Sequence, residues 1–181
     1  MQIAPGWLAR LLAQWGFSWQ GLRDNRSGEW WLLAQLLLIA AHLLPPTPAP
    51  AALGLAWPLS LRLLGAALLL VGLLLATRAF QHLGASLTPL PEPMPGATLV
   101  TSGAYGRCRH PLYQAILVCS LGVLLATGSL LHLALLLGLA AVLGGKARRE
   151  EQRLLQIHPN YSTYRATTAA IVPLLPWLDW R

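Results

Sequence analysis

Apolar residues along this chain gather into four long runs, and the breaks between them carry helix-start or turn chemistry. The first run covers residues 30–44, opens on Trp30 and Trp31, and ends at Pro45-Pro46-Thr47-Pro48. The second starts at Pro58 and reaches about Thr77, with Arg62 one turn in, whose long stem can carry its charge outward. The third covers residues 111–127 and begins on Pro111, whose missing N–H costs nothing in the first turn of a helix. The fourth, residues 130–145, follows after only Gly128-Ser129, so the third and fourth should form an antiparallel hairpin. A bilayer core is crossed by about 17–25 apolar residues. The first run is somewhat short on that scale. The pattern predicts an all-α, polytopic membrane protein with about four transmembrane helices.

Between and beyond these runs the pattern is different. Residues 5–20 set Trp7, Leu8, Leu11, Leu12 and Trp15 around Arg10 and Gln14, which predicts a short amphipathic helix at the membrane surface. Residues 21–28 hold Arg23, Asp24, Asn25 and Arg26 and read as a polar loop. Residues 78–95 end in Pro89, Pro91, Pro93 and Pro95, a backbone that cannot pair regularly and so belongs in water or over a site. The fourth run continues as a helix into the cytosol as far as Leu155, and His158-Pro159-Asn160 breaks it. Tyr161 and Tyr164, three apart, then share one face of a further helix. Pro173, Pro176, Trp177 and Trp180 read as an interfacial tail. Gly65 and Gly72 leave room for close helix packing. The whole of 1–181 is read as one domain, with an interfacial segment at 1–28 and a motif-bearing part at 83–173.

Composition sharpens this picture. The chain is 55% hydrophobic and 10% charged, with a mean hydropathy of +0.53, against roughly 25% charged residues in soluble domains. An ordinary soluble domain is excluded. The net charge is +7, yet the cations sit beside apolar runs rather than in one patch, so no nucleic-acid partner is expected. Twelve of the thirteen basic residues flank the runs on one side, leaving only Arg62 on the other. The positive-inside rule then places both termini in the cytoplasm, in the inner (cell) membrane if the source is bacterial. The first residues lack a basic stretch followed by an apolar one, so no cleavable signal peptide is expected. Cys108 and Cys119 make neither a disulfide framework nor a metal motif, and no metal is expected. Few ionisable residues lie within the runs, which disfavours a proton-coupled transporter. His42 reads as a packed or interfacial histidine.

Chemistry concentrates in residues 98–113, where Tyr105, Arg107, Arg109, His110 and Tyr113 fall close together around Gly103 and Gly106. The helix starting at Pro111 leaves free N–H groups beside Arg109 and His110, a good arrangement for an anion. The same cations and tyrosines would equally make a positive-inside anchor with interfacial aromatics. A second motif, Glu150-Glu151-x-x-Leu154 followed by Tyr161-x-x-Tyr164-Arg165, falls on the same membrane face. Alone it would pass for solvated helix surface, with Lys146 and Glu150 as an i,i+4 pair worth about 0.3–0.5 kcal/mol.

Taken together, Leu99-Val-Thr-x-Gly-x-Tyr105, Arg109-His-Pro-x-Tyr113, Glu150-Glu-x-x-Leu154 and Tyr161-x-x-Tyr164 resemble the isoprenylcysteine carboxyl methyltransferase and phospholipid N-methyltransferase superfamily. The likeness covers roughly residues 83–173. It implies a methyltransferase using S-adenosyl-L-methionine bound at the cytosolic membrane face. The implied cofactor contacts are Thr98, Leu99, Val100, Tyr105, Arg109, His110, Pro111, Leu112, Tyr113, Glu150 and Glu151. Arg109, His110 and backbone N–H groups suit the cofactor carboxylate. Glu150 or Glu151 suits its ammonium or ribose, and Tyr105 and Tyr113 its adenine. The family's substrate-side arginine falls on Lys146, which lacks the bidentate fork, and Arg149 is the candidate substitute. Lys146, Arg149 and Tyr113 are thus assigned to catalysis, and Tyr161, Tyr164 and Arg165 to the substrate. Where the family has Phe-Gly before the paired tyrosines, this chain has Ile157-His158.

The acceptor expected from this placement is a lipophilic or lipid-linked molecule entering from the bilayer, with Gly122, Gly138, Gly144 and Gly145 leaving a gap for its tail. Membrane lipid is the expected surrounding partner. Two competing readings are an NADPH-dependent sterol-type reductase, whose C-terminal region looks similar, and a non-enzymatic membrane scaffold.

Overall fold

The computed structural model describes residues 18–86, 88–93, 96, 98–172 and 178–180. The expected amphipathic helix at 5–20 lies almost wholly outside the described residues, as do Pro173, Pro176 and Trp177. The described residues form six α-helices and no strand: α1 (Trp19–Asp24), α2 (Glu29–Ala41), α3 (Leu59–Leu83), α4 (Pro111–Thr127), α5 (Leu130–Ile157) and α6 (Tyr161–Thr167), with 3-10 turns at Pro50–Leu53 and Gly84–Ser86.

The stretch expected as a polar loop before the first run begins instead as helix α1. Ser18 caps it, its Oγ accepting from Gly21 N at 2.9 Å, which satisfies one of the free donors at the helix start. Asn25 ends it in the left-handed conformation, at φ 53°, which an asparagine tolerates. The buried Glu29 then opens α2, and its Oε2 accepts from Ser27 N at 3.0 Å. A Cβ on Gly21 would stand where Glu29 Oε1 lies, so glycine lets α1 come close to this carboxylate without moving it.

Helices α3 and α5 are long and apolar enough to cross a membrane, while α2 and α4 are shorter apolar helices of 13 and 17 residues. Helix α3 runs past Thr77 to Leu83 because no breaker occurs before Gly84. The two long helices differ in setting. Only 11% of the most apolar stretch of α3 is buried, against 39% of that of α5. Leu63, Leu70 and Leu74 of α3 therefore face outward, as lipid-facing residues would. Its other face lies hard against α4. A Cβ on Gly65 would come 2.5 Å from Gly122 O, and one on Gly72 would come 2.4 Å from Cys119 Sγ. These two glycines do what their spacing predicts.

The same closeness corrects the expected tail gap. A Cβ on Gly122 would meet Gly65 O at 2.7 Å, one on Gly145 the Trp31 ring at 2.3 Å, and one on Gly144 the Trp180 ring at 3.2 Å. Even Gly138 has Leu38 at 3.4 Å. These small residues admit neighbouring side chains and backbone, not a lipid tail. Trp180 is a second correction, since it is a core residue rather than an interfacial one. It packs with Tyr113, Leu117, Leu139, Leu143, Ala147, Ala170 and Ile171 in the central cluster beside α5.

Away from residues 98–113, the end of α4 and the start of α5 are tied to the α2–α3 connection. Thr47 N donates to Ser129 Oγ at 2.9 Å, Leu131 N donates to Thr47 O at 3.0 Å, and Trp57 Nε1 donates to Leu125 O at 2.7 Å. His42 is packed as expected. Its Nδ1 lies 2.8 Å from Leu38 O and its Nε2 2.6 Å from Ser120 Oγ, with the buried His132 ring edge-on at 5.8 Å.

Candidate active site

Residues 103–110 turn tightly before α4, and Gly103 suits the turn twice over, with a φ of 62° and with the His82 ring lying where a Cβ would go. The turn delivers Arg109 and His110 into the protein, where the segment after α6 receives them. Arg109 N donates to Ala169 O at 2.9 Å and His110 N to Ala170 O at 3.0 Å, while Gln114 Nε2 donates to Ile171 O at 2.8 Å. Two parts of the chain some sixty residues apart are stitched together at the start of α4.

Arg109 is buried, and its donors are largely consumed by the protein. Its Nε donates to Glu151 Oε1 at 2.7 Å, and its Nη1 to Arg165 O at 3.2 Å and to Thr168 O; Asp179 Oδ1 lies 3.4 Å from the same nitrogen. Glu151 is equally buried. It also accepts from His110 Nε2 at 2.9 Å and lies 3.1 Å from Arg165 Nε. A buried ion pair is stable only when its remaining hydrogen-bonding capacity is used, and this one is embedded in a network that draws on α4, α5 and α6. Arg109 Nη2 is buried without a partner, and Glu151 Oε2 makes no hydrogen bond beyond its ion pair with Arg165. Tyr161 Oη is buried without a partner too.

Beside this network lies a cavity of about 470 Å³. Its polar wall holds Tyr105, Arg109, His110, Tyr113, Glu150, Tyr161 and Tyr164. Tyr113 Oη donates to Glu150 Oε2 at 2.9 Å, its ring stacks on His110 at 5.1 Å, and Tyr164 Oη donates to Tyr105 O at 2.5 Å. Burial is the main cause that raises the phenol groups of Tyr105, Tyr161 and Tyr164 well above the ordinary tyrosine range, so all three are neutral O–H groups at physiological pH. Apolar lining comes from Leu32, Leu36 and Ile39 of α2 with Ala76 and Phe80 of α3. Thr98, Leu99, Val100 and Leu112 also line it, as do Thr88, Pro89 and Pro93 from the proline-rich loop.

Lys146 also lines the cavity and is 2% exposed, so it is not half of a solvated pair with Glu150. Its Nζ donates to Gln35 Oε1 and to Pro89 O, both at 2.7 Å, and lies 5.3 Å from the centre of the Tyr113 ring.

Four residues of the sequence-derived set stand outside the lining. Pro111 starts α4, and Glu151 is taken up by the ion network. Arg149 turns to the α1–α2 connection, where Nη2 donates to Asn25 O at 3.2 Å and Arg26 O at 2.5 Å. Arg165 faces Glu151. Conversely, the sequence reading gave no site role to Gln35 or His158, both in the lining, while Pro89 lines it from a loop expected in water or over a site. The signal for Gln35 was present as the lone amide inside an apolar run.

S-adenosylmethionine meets a suitable donor set here. It carries a carboxylate, an ammonium, ribose hydroxyls and an adenine. The orphaned Arg109 Nη2 and Tyr161 Oη suit the carboxylate or a hydroxyl, Glu150 suits the ammonium, and the tyrosine rings with the Leu99–Val100 edge suit the base.

Residues 61–160 match the family model for phospholipid methyltransferase, more than half of the chain. The cobalt-zinc-cadmium resistance protein CzcN of Cupriavidus metallidurans is 40% identical over 79 residues, which is 43% of this chain and 37% of CzcN. The chain thus spans well under half the length of that curated relative. The matched segment runs from the first turn of α3 to the eve of α6 and so contains residues 98–113, Glu150, Glu151 and the loop at 88–93, though not Tyr161 and Tyr164, and by that match the chain belongs to the phospholipid methyltransferase family of membrane methyltransferases.

Proposed function

We propose that this protein is an integral membrane methyltransferase that uses S-adenosyl-L-methionine to methylate a lipophilic acceptor at the cytosolic face. The observation that carries the reading is a cavity lined both by polar side chains and by aliphatic side chains of the outer helices, with the unpartnered Arg109 Nη2 and Tyr161 Oη buried behind the lining. In the same reading α2, α3, α4 and the apolar part of α5 are four spans. The basic residues around α1, the loop before α4 and the end of α5 are then cytoplasmic.

When bound, the cofactor supplies a methyl group on a positively charged sulfur. The protein's own part is to bind, align and exclude water, since an in-line displacement depends on geometry more than on acid–base groups. Arg109 and Tyr161 would hold the amino-acid end of the cofactor. Glu150, oriented by Tyr113 Oη, would take its ammonium. Tyr105 and Tyr164 would suit the base, and residues 88–93 would keep water out. They are held to α5 by Lys146 on Pro89 O and by Arg153 Nε on Glu92 Oε2 at 3.2 Å. The acceptor tail lies against Leu36, Ile39 and Phe80.

The test is transfer of radiolabelled methyl from S-adenosylmethionine to membrane lipid extracts and to single-chain amphiphiles of graded tail length. Label should move into the organic phase and rise with tail length. Labelling of water-soluble compounds alone, with no dependence on the tail, would remove the lipid-acceptor part of the reading.

A further inference from the structure

The charged network also draws on the end of the chain. Residues 178–180 lie outside the segment matched by the family, and Trp180 anchors them in the central cluster, against Gly144. The side chain of Asp179, beside it, is mostly buried. One peptide unit links this carboxylate to Arg109. The Ala169 carbonyl accepts from Arg109 N at 2.9 Å, and the N–H of the same peptide plane, that of Ala170, donates to Asp179 Oδ1 at 2.9 Å. The same Oδ1 lies 3.4 Å from Arg109 Nη1, 70 residues away in sequence. Asp179 thus closes a ring through both the main chain and the guanidinium of a single arginine, and bonds linked in this way polarise one another.

The guanidinium carries five N–H donors in a rigid plane. Its Nε donates to Glu151, and the two donors on Nη1 meet three acceptors, Arg165 O, Thr168 O and Asp179 Oδ1. The two on Nη2 meet none among the described residues. Holding two corners of a planar group fixes the direction of the third. Glu151 holds the Nε corner, and Asp179 is the charged acceptor at the Nη1 corner.

We propose that Asp179 is a positioning residue of the cofactor site, holding Arg109 so that Nη2 stays the free corner for the cofactor carboxylate. This rests on the methyltransferase reading above and extends its site to a residue that lies beyond both sequence motifs. Asp179 acts through Arg109 and touches neither cofactor nor acceptor. Its loss therefore weakens recognition of the carboxylate and leaves recognition of the ammonium, ribose and base as it was.

The experiment measures the affinity of the full chain in detergent for S-adenosylhomocysteine and for its decarboxylated analogue, which keeps the ammonium, ribose and base. The wild type should prefer S-adenosylhomocysteine by about tenfold or more, the scale of one charge-assisted hydrogen bond. Asp179→Ala opens the ring and should lower S-adenosylhomocysteine affinity about tenfold, with the affinity for the analogue unchanged. Asp179→Asn keeps an oxygen for Ala170 N–H but removes the charge at Nη1. It should recover part of the affinity, to about threefold below wild type, again with no change for the analogue. The asparagine variant keeps the test decisive if the alanine variant folds poorly. A wild type that binds both ligands equally well overturns the proposal. Unchanged S-adenosylhomocysteine affinity in both variants does so too, as does a parallel fall for both ligands, because Asp179 would then only support the fold. Failure of the wild type to bind S-adenosylhomocysteine at all is a different result, and it overturns the underlying methyltransferase reading.

Discussion

Two polar clusters are buried among these helices, and they differ in how completely they close. Toward the start of α5, His42, Ser120, His132, Ser129 and Thr47 form short bonds among themselves and to nearby carbonyls. Only His132 Nδ1 lacks a partner there, and it can serve as the acceptor nitrogen of a neutral ring. Toward the end of α5, Arg109, His110, Glu151 and Arg165 form a charged network that leaves Arg109 Nη2 and Tyr161 Oη unused at the edge of a cavity. Both clusters are buried and both link distant parts of the chain. What separates them is spare hydrogen-bonding capacity next to open space. The first cluster holds helices together, whereas the second does so and has donors left for a ligand.

The comparison breaks most visibly at Glu151. Glu151→Gln leaves the buried Arg109 charge with only the more distant Asp179 carboxylate, at 3.4 Å, and removing one partner of a buried pair costs about 3–5 kcal/mol. Thermal unfolding in detergent should fall sharply and cofactor binding should go with it. An unchanged melting temperature would mean that the network does not support the fold.

Tyr161→Phe separates the two roles of the charged end. The deleted hydroxyl has no partner, so stability should hold or rise slightly, while S-adenosylmethionine affinity should fall several-fold, in line with about 0.5–1.5 kcal/mol for one hydrogen bond. Parallel losses of stability and affinity would show that the hydroxyl is structural.

Ser120→Ala is the matching change in the closed cluster. It removes the partner of His42 Nε2 and should cost about 1 kcal/mol of stability with no change in cofactor affinity. A drop in affinity would join the two clusters into one functional unit.

The smallest effect concerns Cys108. Burial is the main cause that pushes its thiol up to about 11, and the reactive species is the thiolate. Alkylation of the folded protein at neutral pH should therefore be slow, quickening as pH climbs toward that value. Rapid labelling at neutral pH would place the turn before α4 in an open state.

Local signals in the sequence carried well. Pro111 and Gly128 bracket α4 as the run between them predicts, and His158-Pro159-Asn160 separates α5 from the helix bearing Tyr161 and Tyr164. These features depend on backbone chemistry within a few residues. Contacts across long separations were not legible. Nothing beside Trp180 announces that it fills the space over Gly144, and nothing beside Arg149 announces that it reaches the carbonyls of Asn25 and Arg26. The glycines of α4 and α5 show the limit most clearly. Composition tells that a neighbour can come close but not which neighbour comes, and here it is α3, Trp31 and Trp180 rather than a lipid tail. Gln35 was visible as the lone amide of an apolar run, but its partner Lys146, 111 residues away, was not.

The central claim is that the charged, incompletely closed end of the helices binds S-adenosylmethionine. Equilibrium binding of the radiolabelled compound to the purified full chain tests it directly, with S-adenosylhomocysteine and NADPH as competitors and Ser120→Ala as the companion variant. The account predicts saturable binding that S-adenosylhomocysteine displaces and NADPH does not, with equal affinity in the variant. Absence of saturable binding, or displacement by NADPH, would contradict it.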